Sequence, residues 1–150
     1  MKTLYMETTK IPAGQTVGEI QRILGVYGAA AVMTQYENKE VVAVSFQIIF
    51  LDKTIPFVLP CRWEPIYNVL LKRRKRVKES DIAEFQEQAK RVAWRQILRW
   101  VEAQLALVDT EMVKIQEVFL PYIQVGIKGQ TLYQQLEAKK FTAIGYQQES

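Results

Sequence analysis

The stretch from Val41 to Phe50 constrains this chain more than any other. Val42, Val44, Phe46, Ile48 and Phe50 fall on one side of an extended backbone, and Ala43, Ser45, Gln47 and Ile49 on the other. A period of two with one strongly apolar side marks a strand half-buried in an antiparallel sheet. Polar turns bracket it, Glu37-Asn38-Lys39-Glu40 before and Asp52-Lys53 after. Connections this short leave no room for a crossover. The flanking runs, Ala30 to Tyr36 and Thr54 to Leu59, therefore pair antiparallel with it as a three-stranded meander. Pro56 lacks an amide hydrogen, which confines the third strand to an edge or a bulge.

Around the meander the apolar spacing changes to three and four. Thr16 and Glu19 have capping-box spacing, and Val17, Ile20, Leu24 and Tyr27 follow, with Gly28 at the C-terminal position that favours glycine. This predicts a helix over 17–27. Trp63, Ile66, Tyr67, Leu70 and Leu71 share a face of a second helix, with Pro65 tolerated in its first turn. A long helix opens at Ser80 or Asp81 and runs to about Asp109. Its stripe of Ile82, Phe85, Ala89, Val92, Trp100 and Leu107 is broadened by Trp94, Val101, Leu105 and Val108. A helix that apolar is covered on two sides. Met112 to Leu120 reads as a further helical segment stopped by Pro121, and Gly126 to Gly129 as a turn. Thr131 with Gln134 caps a last short helix carrying Leu132, Tyr133 and Leu136. Thr3 to Glu7 reads as a short additional strand. The expectation is one α+β domain over 1–150. It has a three- to four-stranded antiparallel meander, an N-terminal helix, several C-terminal helices packed on one face, and a loose tail over 141–150.

Two absences remove much function space. The chain has one cysteine, Cys61, and no histidine. An internal disulfide is impossible, a zinc site lacks its usual ligands, and Ser-His and Cys-His nucleophile pairs are excluded. The glycines form no phosphate-binding loop, so no nucleotide cofactor is implied. No apolar run approaches the roughly 18 residues of a membrane span, and MKTLYMETTK does not read as a signal peptide. The expected location is the cytoplasm, without membrane contact.

Charge points toward a partner. Between Arg62 and Arg99 there are eleven Lys/Arg and five Asp/Glu, although the whole chain carries only +4. Lys72, Arg73, Arg74, Lys75, Arg76 and Lys78 form one cluster. Several cations that displace counterions from a phosphate backbone give strong, salt-dependent binding. The bland alternative is a solvated helix end whose cations complement the helix dipole, but the run is denser than capping requires. Lys90, Arg91, Arg95 and Arg99 form a second group, the arginines recurring every four residues along one helical face. They are placed either to track a phosphate backbone or to pair with acids such as Glu87 and Glu102. Trp94 and Trp100 are candidates for base stacking, but core packing is favoured for both, more strongly for Trp100. Trp63 beside Arg62 is a similar case. Asp109 and Glu111 are two residues apart and do not share a helical face, so they make no metal pair.

The block AWRQILRWVEAQLALVDTEMVKIQEVFLPY, from Ala93 to Tyr122, resembles a block in small uncharacterised proteins of bacteriophages and integrated mobile elements. TVGEIQRILGVYGAAAVMTQYENKEVVAVSFQI is similar to the front half of the same group. The resemblance implies a mobile-element gene and transfers no activity and no site residue. The expected function is a non-enzymatic DNA- or RNA-binding accessory protein. An alternative is an interaction, inhibitor or assembly subunit that uses an apolar helix face, with a second copy or a host or phage protein as partner. A small metal-dependent nuclease is a third reading.

Overall fold

The computed structural model describes residues 2–126 and 128–145. The fold is α+β. Its centre is an antiparallel sheet in the order β1 (Ala31–Glu37), β2 (Glu40–Phe50), β3 (Lys53–Pro60). The register sets Val32, Phe46 and Phe57 abreast, and Val44 beside Leu59. Both hairpins have two-residue loops, and both loop residues lie at positive φ: Asn38 at 49° with Lys39 at 67°, and Leu51 at 50° with Asp52 at 62°. Positive φ at both centres matches the loop twist to the strand twist, which is why so short a connection works. Leu51, 78% exposed, accepts the strained conformation without glycine. Pro56 sits, as its missing amide requires, on the edge strand β3.

The helices cover one face of this sheet. They are α1 (Ala13–Val26), α2 (Glu64–Lys72), α3 (Glu79–Asp109), α4 (Ile115–Val118) and α5 (Leu132–Ala138). A small hairpin, β4 (Gln124–Val125) with β5 (Gln130–Thr131), follows a 3-10 turn at Leu120–Tyr122 and meets the sheet where Ile123 bridges to Phe57. The core joins Val17, Ile20 and Leu24 of α1, Val44 and Phe46 of β2, Phe57 and Leu59 of β3, and Trp94, Leu98, Val101 and Leu105 of α3. Phe46 and Phe57 stack at 4.9 Å between centroids, and Phe119 meets Phe46 edge-on at 5.3 Å. Such rings add specific geometry to the burial that drives the packing.

Three local expectations need correction. Residues 3–7 form no strand. They begin a turn-rich strap in which Met6 has φ 63°, and side chains of α3 hold its carbonyls: Gln88 Nε2 donates to Glu7 O and Thr9 O, both at 2.9 Å, and Gln96 Nε2 to Tyr5 O at 2.8 Å. Thr16 is not an N-cap. The first helix starts earlier, at Ala13 after Pro12, and Thr16 lies fully buried inside it. The segment expected over 112–120 is helical only from Ile115 to Val118, since Glu111 takes positive φ and Met112 stays in solvent. By contrast, the Thr131–Gln134 capping box forms, with Gln134 N donating to Thr131 Oγ1 at 3.2 Å and Thr131 N to Gln134 Oε1 at 3.0 Å. Of the expected tail, 141–145 are turns and bends, and 146–150 lie outside the described residues.

Candidate nucleic-acid interface

The ten cations singled out in the sequence fall into two different environments. The cluster sits where α2 ends and α3 begins. Lys72 is the last residue of α2, and Lys78 caps α3, its amide donating to Asp81 Oδ2 at 3.1 Å. Lys72, Arg74, Lys75, Arg76 and Lys78 are exposed and make no ion pair among the described residues. Arg74 lays its guanidinium over the Phe85 ring, 5.0 Å from the centroid, which steadies the side chain while its donors stay available. Arg73 differs. It pairs with Glu7, donates to Lys2 O at 2.6 Å, and so ties the N-terminal strap to this connection.

The second group does not form a phosphate-tracking ridge. Arg95 is 5% exposed, because it is the one of the aligned arginines that lies where α3 packs against α1. It donates to Glu19 Oε2 at 2.8 Å and Thr16 Oγ1 at 3.4 Å. Glu19 thus supplies the countercharge for a guanidinium in the interface rather than a helix cap. Arg91 spends Nε and Nη2 on Gln88 Oε1, at 3.0 and 2.6 Å. Arg99 bonds both carboxylate oxygens of Glu102 at 3.1 Å. Lys90 pairs with Glu40 at 2.5 Å and Glu87 at 3.5 Å, with its ammonium 4.9 Å from the Trp63 ring centroid. Burial works against its charged form, but hydrogen bonds to and charges of Glu40 and then Glu87 outweigh it, and the Lys90 pKa is raised. These four residues mainly organise the protein itself.

The tryptophans also separate, against the expected ranking. Trp94 is 2% exposed core, whereas Trp100 is only partly buried. Trp100 lines a cleft of about 420 Å³ beside the start of α2, with Arg62, Ile66, Gln96, Ile97 and Tyr122 among its walls. Among the described residues, Arg62 is the one charged residue in that lining. Helical spacing alone placed Trp100 in the core. The missed signal was Arg62 and Tyr122, distant in sequence and brought to the same wall by the fold.

The opposite face of the sheet has another character. Ala31, Met33, Gln35, Ala43, Ser45, Gln47, Ile49, Thr54, Pro56, Val58 and Pro60 point away from the helices, by the alternation of the paired strands; none of these is charged, and Glu37 ends the same row of β1. Met33 is 57% and Ile49 62% exposed. No aromatic residue lies among them, so the usual RNA-binding sheet platform is missing here.

No metal or thiol chemistry stands out. Among the described residues no three His, Cys, Asp or Glu gather into a metal-binding group. Cys61 is pushed up to about 12, first by burial and then by the Glu64 charge, with Lys90 opposing. Its thiol is therefore a poor nucleophile. Among the described residues no helix is long and apolar enough to cross a membrane. Comparison with family models, curated proteins and solved structures finds no match.

Proposed function

We propose that this chain is a non-enzymatic nucleic-acid-binding accessory protein of a phage or mobile element, and that the connection between α2 and α3 supplies its phosphate contacts. One observation carries the reading: among the described residues, five exposed cations without an ion pair lie within seven positions, whereas Arg73, Lys90, Arg95 and Arg99 are paired with acids of the chain. Unpaired cations held together raise the local potential, and a polyanion relieves their repulsion while releasing its own counterions. The test is binding to a labelled oligonucleotide at two salt concentrations. Five phosphate contacts give a log–log salt slope of about −3.5 to −4.5, so affinity falls roughly a hundred- to five-hundredfold between about 50 and about 200 mM salt. Replacing Lys75 and Arg76 with Ala flattens the slope by about 1.4 to 1.8. Absence of low-salt binding, or an unchanged slope in the double variant, rejects the reading.

The outer sheet face, free of cations and charged only at Glu37 at the end of β1, favours a second reading, an assembly module whose partner is a second copy. Two net-positive chains meet with least repulsion where neither presents a cation. The expected result is concentration-dependent dimerisation in light scattering, abolished by Met33→Lys. A strict monomer excludes it.

A further inference from the structure

Resting on the nucleic-acid reading, we infer that the cleft beside the start of α2 is the seat of an unpaired nucleobase, so the ligand is a single strand rather than a duplex. Its volume of about 420 Å³ falls within the range of small-molecule sites. Ile66, Ile97, Trp100 and Tyr122 offer apolar and aromatic surface for a flat ring, and the sole charge in the lining among the described residues, that of Arg62, is positive. That combination matches a base with its attached phosphate. A base inside a duplex presents only its edges and cannot enter.

The position of the cleft relative to the basic connection gives the geometry. Arg62 and Ile66 lie at the start of α2, and the cationic cluster begins at its end. A helix of nine residues is about 14 Å long. About four nucleotides at the 3.4 Å rise of a stacked strand cover that distance. The same strand then holds its phosphates on Lys72 to Lys78 while one base occupies the cleft. Base-specific readout is weak, because Gln96 already commits its amide nitrogen to the Tyr5 carbonyl. Stacking tolerates every base for the same reason that it discriminates little: all present a π-face.

The experiment compares an oligothymidylate of about twelve nucleotides with a duplex of equal length and with thymidine 5′-monophosphate, using wild type, Arg62→Ala and Trp100→Phe. Arg62 is exposed, so its replacement leaves the fold intact, which circular dichroism verifies. The expected result is that the single strand binds about five- to a hundredfold more tightly than the duplex, with tryptophan quenching that disappears in Trp100→Phe. Arg62→Ala weakens the single strand severalfold and leaves the duplex unchanged. Equal affinity for strand and duplex, quenching that persists in Trp100→Phe, or indifference to Arg62→Ala overturns the inference while the phosphate-binding connection stands. Monophosphate affinity equal to that of the oligonucleotide also overturns it, and makes the cleft a free-nucleotide site. No binding of any of the three ligands removes the nucleic-acid reading itself.

Discussion

Arg95 and Glu19 should respond very differently to removal, although they are partners. Arg95 is 5% exposed, and among the described residues its hydrogen-bond partners are Glu19 and, at 3.4 Å, Thr16 Oγ1, while its Nε is buried without one. The Glu19 side chain is 35% exposed and can turn to water. Glu19→Ala strands a buried guanidinium, and breaking a fully buried pair costs about 3–5 kcal/mol. The half-open carboxylate lowers the figure here to roughly 2–3 kcal/mol. Arg95→Met removes the charge and the unsatisfied nitrogen together, keeps most of the apolar volume, and leaves an acid that solvent can reach. Its cost is within about 1 kcal/mol of zero. Urea unfolding measures both, with m unchanged if the comparison is valid. Oligonucleotide binding by Arg95→Met should equal wild type, because this arginine is inside the protein. Stability losses of equal size, or a loss of binding in Arg95→Met, would refute the interface assignment.

Other outcomes follow from single contacts. Replacing Glu40 with Gln removes the first acid that raises the Lys90 pKa. A raised folded pKa stabilises below the ordinary lysine value and is lost as pH climbs through the raised one, so the cost of about 0.5–1 kcal/mol near neutrality should vanish in strong alkali. Urea midpoints at pH 8 and above pH 11 check it, and a cost independent of pH contradicts it. Gln88→Ala deletes two donors to the strap, so proteolysis at Lys10 should rise about tenfold while the global midpoint moves little. An unchanged cleavage rate means the strap is held elsewhere. Cys61, with its thiol near 12 against an ordinary 9.0, should alkylate about a thousandfold more slowly in the native protein than in urea. Fast native labelling contradicts that burial.

The parts of the fold that local pattern controls were legible, and the parts set by distant partners were not. Alternation from Val42 to Phe50 fixed β2, and the polar turns on either side fixed the meander to within a residue at each strand end. The Thr131–Gln134 spacing identified the start of α5 because a capping box is complete within four residues. The same spacing misled at Thr16–Glu19. There the two side chains serve Arg95, 79 and 76 residues away, and nothing local distinguishes the two uses. The strap failed for a related reason: its carbonyls bond to glutamines of α3 rather than to a neighbouring strand.

The fate of the cations follows from where each one is anchored. A residue repeating every four positions on a helix faces whatever packs on that side, and α3 packs against α1 and α2. A cation pointed at such a neighbour has lost much of its hydration, so the fold tolerates it only where a carboxylate or an amide oxygen stands opposite. Glu19 on α1 occupies that place for Arg95, while Arg91 and Arg99 take partners on α3 itself, Gln88 and Glu102. Along the α2–α3 connection, Lys72, Arg74, Lys75, Arg76 and Lys78 are exposed and have no ion-pair partner among the described residues, so they stay hydrated and unmatched at little cost. Only Arg73, caught by the strap, is drawn inward. Positive charge that folding does not require is the charge available to a ligand, and that is why the connection rather than the arginine row is proposed as the interface.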